Sequence, residues 1–464
     1  MKKFLILVLC VLFVPFCCSC KKENKKPLTT YNMDLFLEDN ILTGELKVNF
    51  VLQKNSYADF NFFANAYRQD AEFFALEKED LPLNKKYGKA EILGVESVTL
   101  NKYELLKDNC LLRVFFNNKK GDNVQVKIKF KVELSNFSHR LSYGEDTINL
   151  GNFYPILCVL EEDYVFCPYY NVGDPFYSDV ANYKVNLTCR GSFSVAGSGI
   201  CTGIKFNNDL TTYCFNLEKA RDFALCLSKN FKIAKVNHKG VDIFYYYLTE
   251  DYQEDLNIIK TALNYFGKFY AYPYKTYSVC QTDFCCGGME YPGLVYINKT
   301  LNLKDRLYTI VHETAHQWWY SVVGNNQITN ACLDEGLTEF ASILFFKDNQ
   351  NFNIAYKNLV SQKIASYSKF QNTYKQIYGL NYNFSPLRSL QEYKNSTDYV
   401  YTVYYYMPYM LYRLYFNNPT KFINKLIYFT KKYAFKNTTL LDFVKCFNSQ
   451  DKTFLNIVLQ GKVV

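Results

Sequence analysis

Two histidines four residues apart mark the part of this sequence best suited to chemistry. His312 and His316 lie in the segment 311–316, and the whole chain contains only four histidines. At this spacing both imidazoles project from one face of a helix, so both can reach one metal ion. Eighteen residues separate His316 from Glu335, whose carboxylate can supply a third ligand from a second helix. The pattern predicts a site for one zinc ion (Zn2+), with an open fourth position and Glu313 as the general base.

An alternative interpretation of the motif is that the two histidines merely share a helix face in a basic protein. Glu335, at the right offset and on its own predicted helix, favours the metal site over that alternative. Trp318 and Trp319, the two tryptophans of the chain, follow the motif after one intervening residue, Gln317. We expect them to pack the metal helix against its neighbours and to keep the site rigid and dry.

Hydrophobic periodicity indicates which elements must position these residues. From about residue 31 to 235 the pattern is mainly β, and residues 124–134 alternate almost perfectly between apolar and polar. After about residue 250 the apolar period becomes helical. We predict a short strand region over 277–297, the metal helix over 303–321 and a second helix over 333–347.

Composition places the chain among folded globular proteins. It has 464 residues, of which 49% are hydrophobic, and this excludes intrinsic disorder. The net charge is +9, but the charges are dispersed and form no basic block inside the folded region. The sequence therefore predicts no nucleic-acid partner, and its length allows two or three domains.

The N-terminus predicts export. Two lysines precede an apolar run over residues 4–16, which is too short for a comfortable membrane span. The small residue before Cys20 and the polar tether over 21–30 are typical of a bacterial lipoprotein cleavage site. We therefore predict a signal peptide over 1–20, a lipid on Cys20, and an extracytoplasmic protein anchored to the cell membrane by that lipid. The alternative is an ordinary cleaved signal, an unmodified Cys20 and a secreted protein.

Sixteen cysteines would suggest disulfides in an exported protein, but twelve of them are scattered beyond the N-terminal segment. We interpret these twelve as free, buried thiols, with disulfides as the alternative. Cys285 and Cys286 are adjacent and too close for a normal bridge to each other.

A second motif lies upstream of the predicted metal helix. Residues 286–294 read Cys-Gly-Gly-Met-Glu-Tyr-Pro-Gly-Leu. This segment resembles the Gly-x-Met-Glu-Asn motif of the gluzincin aminopeptidases, the family of aminopeptidase N and the leukotriene hydrolases. The histidine and glutamate spacing resembles that family as well. The resemblance implies a multi-domain protein with a β-rich, saddle-like N-terminal domain over 31–238. A mainly α, thermolysin-like α+β catalytic domain would follow over 239–464.

The resemblance also implies how the second motif binds a peptide substrate. Glu290 would hold the N-terminal ammonium of the peptide by a charge-assisted hydrogen bond. Gly287 and Gly288 would let the peptide approach the backbone closely, since neither has a side chain. Met289 would complete the contact of the motif with substrate, and Tyr291 stands where the family motif has Asn.

A downstream tyrosine donates a hydrogen bond to the oxyanion of the reaction intermediate in this family. The best match here is Tyr404, although the Lys-Gly pair that usually follows this tyrosine is replaced. Tyr399, Tyr401, Tyr405 and Tyr406 lie close by in the sequence and are alternatives for the same role.

Two departures from the family bear on the predicted cleft. The stretch that supplies an N-terminal-domain glutamine near the substrate amine is not evident, and residues 172–177 stand in its place. The chain also ends soon after the predicted catalytic domain. We therefore expect no large C-terminal helical domain and a more open cleft.

These residues predict a zinc-dependent aminopeptidase, which hydrolyses N-terminal residues from peptides by means of a metal-activated water. One alternative is a zinc endopeptidase that uses the same metal site with an altered first subsite. The other alternative is a catalytically impaired surface lipoprotein that binds peptide.

Overall fold

The structure, a computed structural model, describes residues 27–75, 85–170, 172–250 and 252–462. The predicted signal peptide, with Cys20, lies outside the described residues, as does most of the predicted tether. Among the residues that are described, no helix is both long enough and apolar enough to cross a membrane.

The first half of the described chain is made of β-strands, as its alternating pattern predicts. The strands are β1 (Thr29–Glu38), β2 (Ile41–Val51), β3 (Tyr57–Asn61), β4 (Lys89–Glu96), β5 (Leu100–Leu106), β6 (Leu111–Phe116), β7 (Asn123–Glu133), β8 (Leu141–Tyr143), β9 (Ile148–Leu150), β10 (Ile156–Leu157), β11 (Ala181–Arg190), β12 (Ser194–Gly197), β13 (Ile200–Asn207), β14 (Leu210–Ala220) and β15 (Leu225–Ser228).

The largest sheet of this β-rich region has the strand order β13-β14-β11-β1-β2-β7-β4. Along β7, Val126, Ile128 and Phe130 are buried while the polar residues between them reach solvent. Burial of each such side chain stabilises the folded state by about 1.5–3 kcal/mol. The alternation therefore decides which face of the sheet packs on the core. Two smaller sheets, β10-β3-β6-β5 and β12-β15-β9-β8, pack in the same region.

The second half of the described chain is mainly helical and contains one mixed sheet, ordered β16-β17-β18-β20-β19. Its strands are β16 (Lys232–His238), β17 (Val241–Tyr247), β18 (Thr276–Thr282), β19 (Gly288–Met289) and β20 (Leu294–Asn298), and β21 (Val323–Asn325) pairs with β22 (Lys436–Thr438). Its helices are α1 (Gln253–Phe266), α2 (Leu303–Ala315), α3 (Gln327–Asp348), α4 (Tyr356–Tyr378), α5 (Ser396–Val400), α6 (Met407–Asn417), α7 (Pro419–Lys432), α8 (Leu440–Lys445) and α9 (Ser449–Val458). A π-helical turn, Tyr401–Tyr406, joins α5 to α6.

The two helices nearest the predicted metal site differ from the sequence-based prediction at their ends. α2 ends at Ala315 instead of residue 321, and His316 is its C-cap residue. α3 begins at Gln327, six residues before the predicted start at 333, because the Asn326 side chain accepts a backbone N–H and caps it. A kink at Asn330 separates the first turn of α3 from the rest of the helix. The periodic pattern of apolar residues therefore does not continue through the kink.

The β-rich region and the mainly helical region pack directly on each other, and the predicted fold class is confirmed. The predicted boundary between residues 238 and 239 falls in the turn between β16 and β17, which pair with each other. Buried hydrogen bonds join the two regions. Asn149 Nδ2 donates to the Asp283 carbonyl over 2.9 Å, and the Tyr291 hydroxyl donates to Asn152 Oδ1 over 2.9 Å.

Candidate active site

Helices α2 and α3 position the predicted metal ligands. α2 begins after Asn302, whose side chain accepts the backbone N–H of Asp305 and caps the helix. The helix packs against α1 and α3 and buries its apolar side chains there. His312 and His316 consequently lie at the C-terminal end of α2 and face Glu335 of α3.

The three predicted ligand atoms converge on one point. His312 Nε2 lies 3.1 Å from Glu335 Oε2 and 3.2 Å from His316 Nε2, and His316 Nε2 lies 3.3 Å from Glu335 Oε2. A tetrahedral zinc ion with ligands at about 2.0–2.1 Å holds neighbouring ligand atoms roughly 3.3–3.4 Å apart. The residues present therefore fit a zinc ion.

Hydrogen bonds on the far side of each imidazole orient the pair. His312 Nδ1–H donates to Glu339 Oε2 over 3.0 Å, and His316 Nδ1–H donates to the Trp319 carbonyl over 3.0 Å. These acceptors favour the tautomers in which both Nε2 lone pairs face the metal position. Glu339, one helical turn after Glu335 on α3, thus supports His312 from behind.

Glu313 lies beside the metal position, with its side chain against the second motif. A side chain at position 288 would place a Cβ 2.6 Å from Glu313 Cγ and 2.7 Å from Glu313 Oε1, so only Gly288 leaves room there. Burial raises the pKa of Glu313 to about 8. A carboxyl group with a pKa near neutrality suits proton transfer in both directions.

A cleft of about 850 Å³ opens over these residues. One wall comes from the β-rich region and includes Arg140, Tyr169 and Asp174. The opposite wall comes from the helical region. The predicted site residues that line the cleft are Gly287, Gly288, Glu290, His312, Glu313, Glu335 and Tyr404.

Three carboxylates meet within this cleft. Oxygen atoms of Asp174, Glu290 and Glu335 lie within 4.8 Å of one another. Gln327 donates from Nε2 to Glu290 Oε1 over 3.3 Å and holds that carboxylate in place. Burial raises the pKa of Asp174 to about 7, although its ion pair with Arg140 acts in the opposite direction. Such a cluster suits a cationic group, because a positive charge offsets the repulsion among the carboxylates.

Sequence reasoning did not assign Asp174 or Gln327 to the site. Asp174 lies in the 172–177 stretch, and only the fold brings it across the cleft to Glu290. The Gly-Asp-Pro turn within that stretch is the signal that could have identified it. Gln327 precedes the kink of α3, so no helical periodicity connects it with Glu335.

The second motif contains the short edge strand β19, which pairs with β20. Met289, which the motif predicts to contact substrate, does not line the cleft. Its side chain is 1% exposed, and its sulfur accepts a hydrogen bond from Arg140 Nε over 2.9 Å. Because successive side chains on a strand point to opposite faces, Met289 packs inward while Gly288 and Glu290 line the cleft.

Tyr291, which replaces the Asn of the family motif, is fully buried. Its ring passes over Gly151, where a Cβ would lie 1.9 Å from the Tyr291 hydroxyl oxygen. That hydroxyl bonds to Asn152 in the β-rich region. Tyr291 therefore ties the second motif to the β-rich region.

The structure separates the tyrosines of the 399–406 cluster. Tyr404 lines the cleft, and its ring centroid lies 6.0 Å from that of His312. Burial, with the nearby Glu335 carboxylate, raises the pKa of Tyr404 well above 10, so its hydroxyl keeps a proton to donate. Tyr399 also lines the cleft, with its ring centroid 6.0 Å from that of Tyr404.

The remaining tyrosines of the cluster contact other parts of the helical region. Tyr401 stacks on Phe370 with ring centroids 5.0 Å apart. The Tyr406 hydroxyl donates to the Val458 carbonyl over 2.9 Å. Tyr405 lines a second, smaller cavity, which residues of α2 also line. The geometry therefore favours Tyr404, with Tyr399 as its neighbour, for a role in the cleft.

Comparisons with known proteins agree with this geometry. Residues 251–460 match the family described as the Peptidase family M1 domain. Aminopeptidase M1-B of Oryza sativa subsp. japonica is 33% identical over 103 residues, which cover 19% of this chain and 12% of that protein. This relative therefore informs only a short part of the chain.

Solved structures share the fold over most of the chain. A mutant of the M1 zinc metallopeptidase from Deinococcus radiodurans aligns over 94% of this chain and 95% of its own, with a TM-score of 0.69 and 14% identity. A second structure of that enzyme aligns over the same shares, with a TM-score of 0.66 and 15% identity. A mutant bound to a Tyr-Ser-Ala substrate aligns over the same shares, with a TM-score of 0.64 and 15% identity. The helical half of the chain, residues 251–460, thus matches the Peptidase family M1 domain, and the chain shares its fold with these solved structures.

Proposed function

We propose that this protein is a zinc-dependent aminopeptidase, which removes N-terminal residues from peptides. The observation that carries the proposal is the cluster of Asp174, Glu290 and Glu335 carboxylates, which shares Glu335 with the metal site. A free N-terminal ammonium is the cationic group that a peptide brings to a cleft, and it would bind among these oxygens. The first peptide carbonyl would then lie at the metal position.

The residues of the site divide the chemistry among them. A zinc ion held by His312, His316 and Glu335 would polarise the scissile carbonyl and lower the pKa of a water molecule toward neutrality. Glu313 accepts the proton of the attacking water and passes it to the leaving amine. The Tyr404 hydroxyl donates a hydrogen bond to the oxyanion as it forms.

The carboxylate cluster supports exopeptidase action over the endopeptidase alternative. The peptide group that precedes an internal scissile bond is neutral. Asp174 is already paired with Arg140, but an internal segment would leave Glu290 without a compensating charge, and burial of an uncompensated carboxylate is costly. The complete ligand set, together with Glu313 beside it, supports an enzyme over a peptide-binding protein without activity.

The test compares Tyr-Ser-Ala, the peptide bound to the Deinococcus radiodurans enzyme, with its N-acetylated form. We expect release of tyrosine from the free peptide and a rate about 100-fold lower for the acetylated peptide, since a charge-assisted bond is lost. A chelator-treated sample serves as the control for metal-dependent cleavage. Equal rates for the two peptides would count against the aminopeptidase, and cleavage inside longer acetylated peptides would favour the endopeptidase.

The N-terminal sequence supports a proposal about location. We propose that the protein is held outside the cytoplasmic membrane by a lipid on Cys20. Membrane fractionation tests this, because the Cys20→Ala variant should move from the membrane fraction to the soluble extracytoplasmic fraction. An unchanged distribution would instead support an unmodified Cys20.

A further inference from the structure

Cys285 and Cys286 form a pair of thiols at the mouth of the cleft. Both residues are exposed and line the cleft, whereas most other cysteines in the described ranges are buried. The two sulfur atoms lie 3.6 Å apart. The proposed hydrolysis uses neither thiol, so the pair calls for a separate explanation.

The two thiols differ in acidity. The hydrogen bond from Cys285 lowers the pKa of Cys286 to about 7, and the nearby Arg140 guanidinium acts in the same direction. The same hydrogen bond raises the pKa of Cys285, which therefore keeps its proton. The lowered pKa favours the thiolate form of Cys286, and the thiolate is the form that reacts.

Two hydrogen bonds from Asn298 hold this pair at the start of the second motif. Asn298 Nδ2 donates to the Cys286 carbonyl over 3.0 Å, and the Asn298 backbone N–H donates to the Gly287 carbonyl over 2.9 Å. Gly287 and Gly288 follow directly and lead to Glu290. A group attached to the Cys286 sulfur would therefore occupy the cleft that the peptide must enter.

We propose that Cys286 is a modification site for low-molecular-weight disulfides and that the adduct blocks the cleft. The Cys286 thiolate attacks one sulfur of the disulfide, and a new S–S bond forms as the S–S bond of the reagent breaks. The other half of the reagent leaves as a thiolate and takes a proton from water. Cys286 is oxidised, and one sulfur of the reagent is reduced in the same step.

The adduct is expected to persist because Cys285 is poorly placed to displace it. Neighbouring Cα atoms lie about 3.8 Å apart across a trans peptide bond, whereas the Cα atoms of bridged cysteines lie about 4.4–6.8 Å apart. A disulfide between Cys285 and Cys286 would therefore be strained. The mixed disulfide accumulates until an external reductant removes it.

The test uses the full, zinc-loaded chain, reduced with a phosphine and then exposed to glutathione disulfide. Peptide mass spectrometry follows the adduct at Cys286 and at Cys201, an exposed cysteine on β13 that serves as the matched control. We expect Cys286 to react about tenfold faster than Cys201. Cys286→Ser should lose the adduct at residues 285–286, and Cys201→Ser should retain it. Faster labelling of Cys201, or an adduct at residues 285–286 that survives Cys286→Ser, would overturn the proposal.

The blocking effect rests on the proposed function and is measured separately. Cleavage of Tyr-Ser-Ala, relative to the untreated sample of each variant, should fall in proportion to the adduct and return after phosphine treatment. An adduct that leaves cleavage unchanged would refute the blocked cleft. A protein that forms the adduct but never cleaves the peptide would refute the aminopeptidase instead. Binding of a fluorescent Tyr-Ser-Ala derivative, lost or retained after modification, would then decide whether the adduct blocks the cleft.

Discussion

The Lys363 ammonium lies 2.6 Å from the backbone carbonyl oxygen of Tyr404 and donates a hydrogen bond to it. The same nitrogen donates to Glu339 Oε1 over 2.6 Å, and the other oxygen of Glu339 accepts from His312 Nδ1. Lys363, buried on α4, thus connects a predicted metal ligand with the predicted oxyanion donor. Lys363 is not among the residues that line the cleft, so we expect it to position these groups without contacting the substrate.

We expect Lys363→Met to lower kcat by about 10–100-fold with little change in KM, because loss of such supporting bonds misplaces the groups they orient. Zinc content, measured on the purified variant, should fall less than kcat. Lys363→Arg should restore part of the activity. Lys304, an exposed lysine, lines the second cavity together with Lys363. Lys304→Met is therefore the matched control, and its kcat should equal that of the parent. An unchanged kcat in Lys363→Met would show that the link has no role in catalysis.

Replacing the general base should separate metal binding from turnover. Glu313→Gln keeps the shape of the side chain but cannot accept the proton of the water, so kcat should fall by about 100- to 10,000-fold. Metal analysis should still find about one zinc per chain. Glu218→Gln, at an exposed position of β14, controls for a general effect of charge removal. Retained turnover in Glu313→Gln would disprove the role of Glu313.

The tyrosines of the cluster offer an internal comparison. Tyr404→Phe should lower kcat by about 100-fold, the usual effect of removing one oxyanion donor, while KM changes little. Tyr401→Phe, which alters a ring stacked on Phe370, should leave kcat close to that of the parent. If Tyr399→Phe were the more damaging of the two cleft variants, the oxyanion role would pass to Tyr399.

Glu290→Gln removes one negative charge from the carboxylate cluster. We expect kcat/KM for a free peptide to fall by about 10–100-fold, because the substrate ammonium loses a charge-assisted bond. Cleavage of the N-acetylated peptide, already slow, should hardly change. Steady-state kinetics on both peptides measure the difference. An equal loss for both would mean that Glu290 supports the fold of the cleft without recognising the ammonium.

The part of the site that lies on regular helices could be predicted from the sequence. His312 and His316 share a face because a helix repeats every 3.6 residues, and Glu335 lies on the next long helix. The β-rich region could be predicted for the same reason, since strands such as β7 alternate between buried and solvent-facing residues.

The rest of the site depends on tertiary contacts, which produce no periodic pattern in the sequence. Asp174 reaches Glu290 only because the β-rich region packs over the second motif. Met289 belongs to a motif that binds substrate in the family, but the alternation of β19 turns its side chain toward Arg140. The tyrosine cluster could not be resolved either, because the chain there does not follow the α-helical repeat.

The π-helical turn at Tyr401–Tyr406 has a genetic consequence. A π turn holds one residue more than an α-helical turn, and each residue of an α-helix rotates the chain by about 100°. Deletion of one residue would turn this segment into ordinary helix and swing the Tyr404 hydroxyl away from His312. The loss of a single codon would thus remove the Tyr404 hydroxyl from the site, while the helices on either side stayed folded.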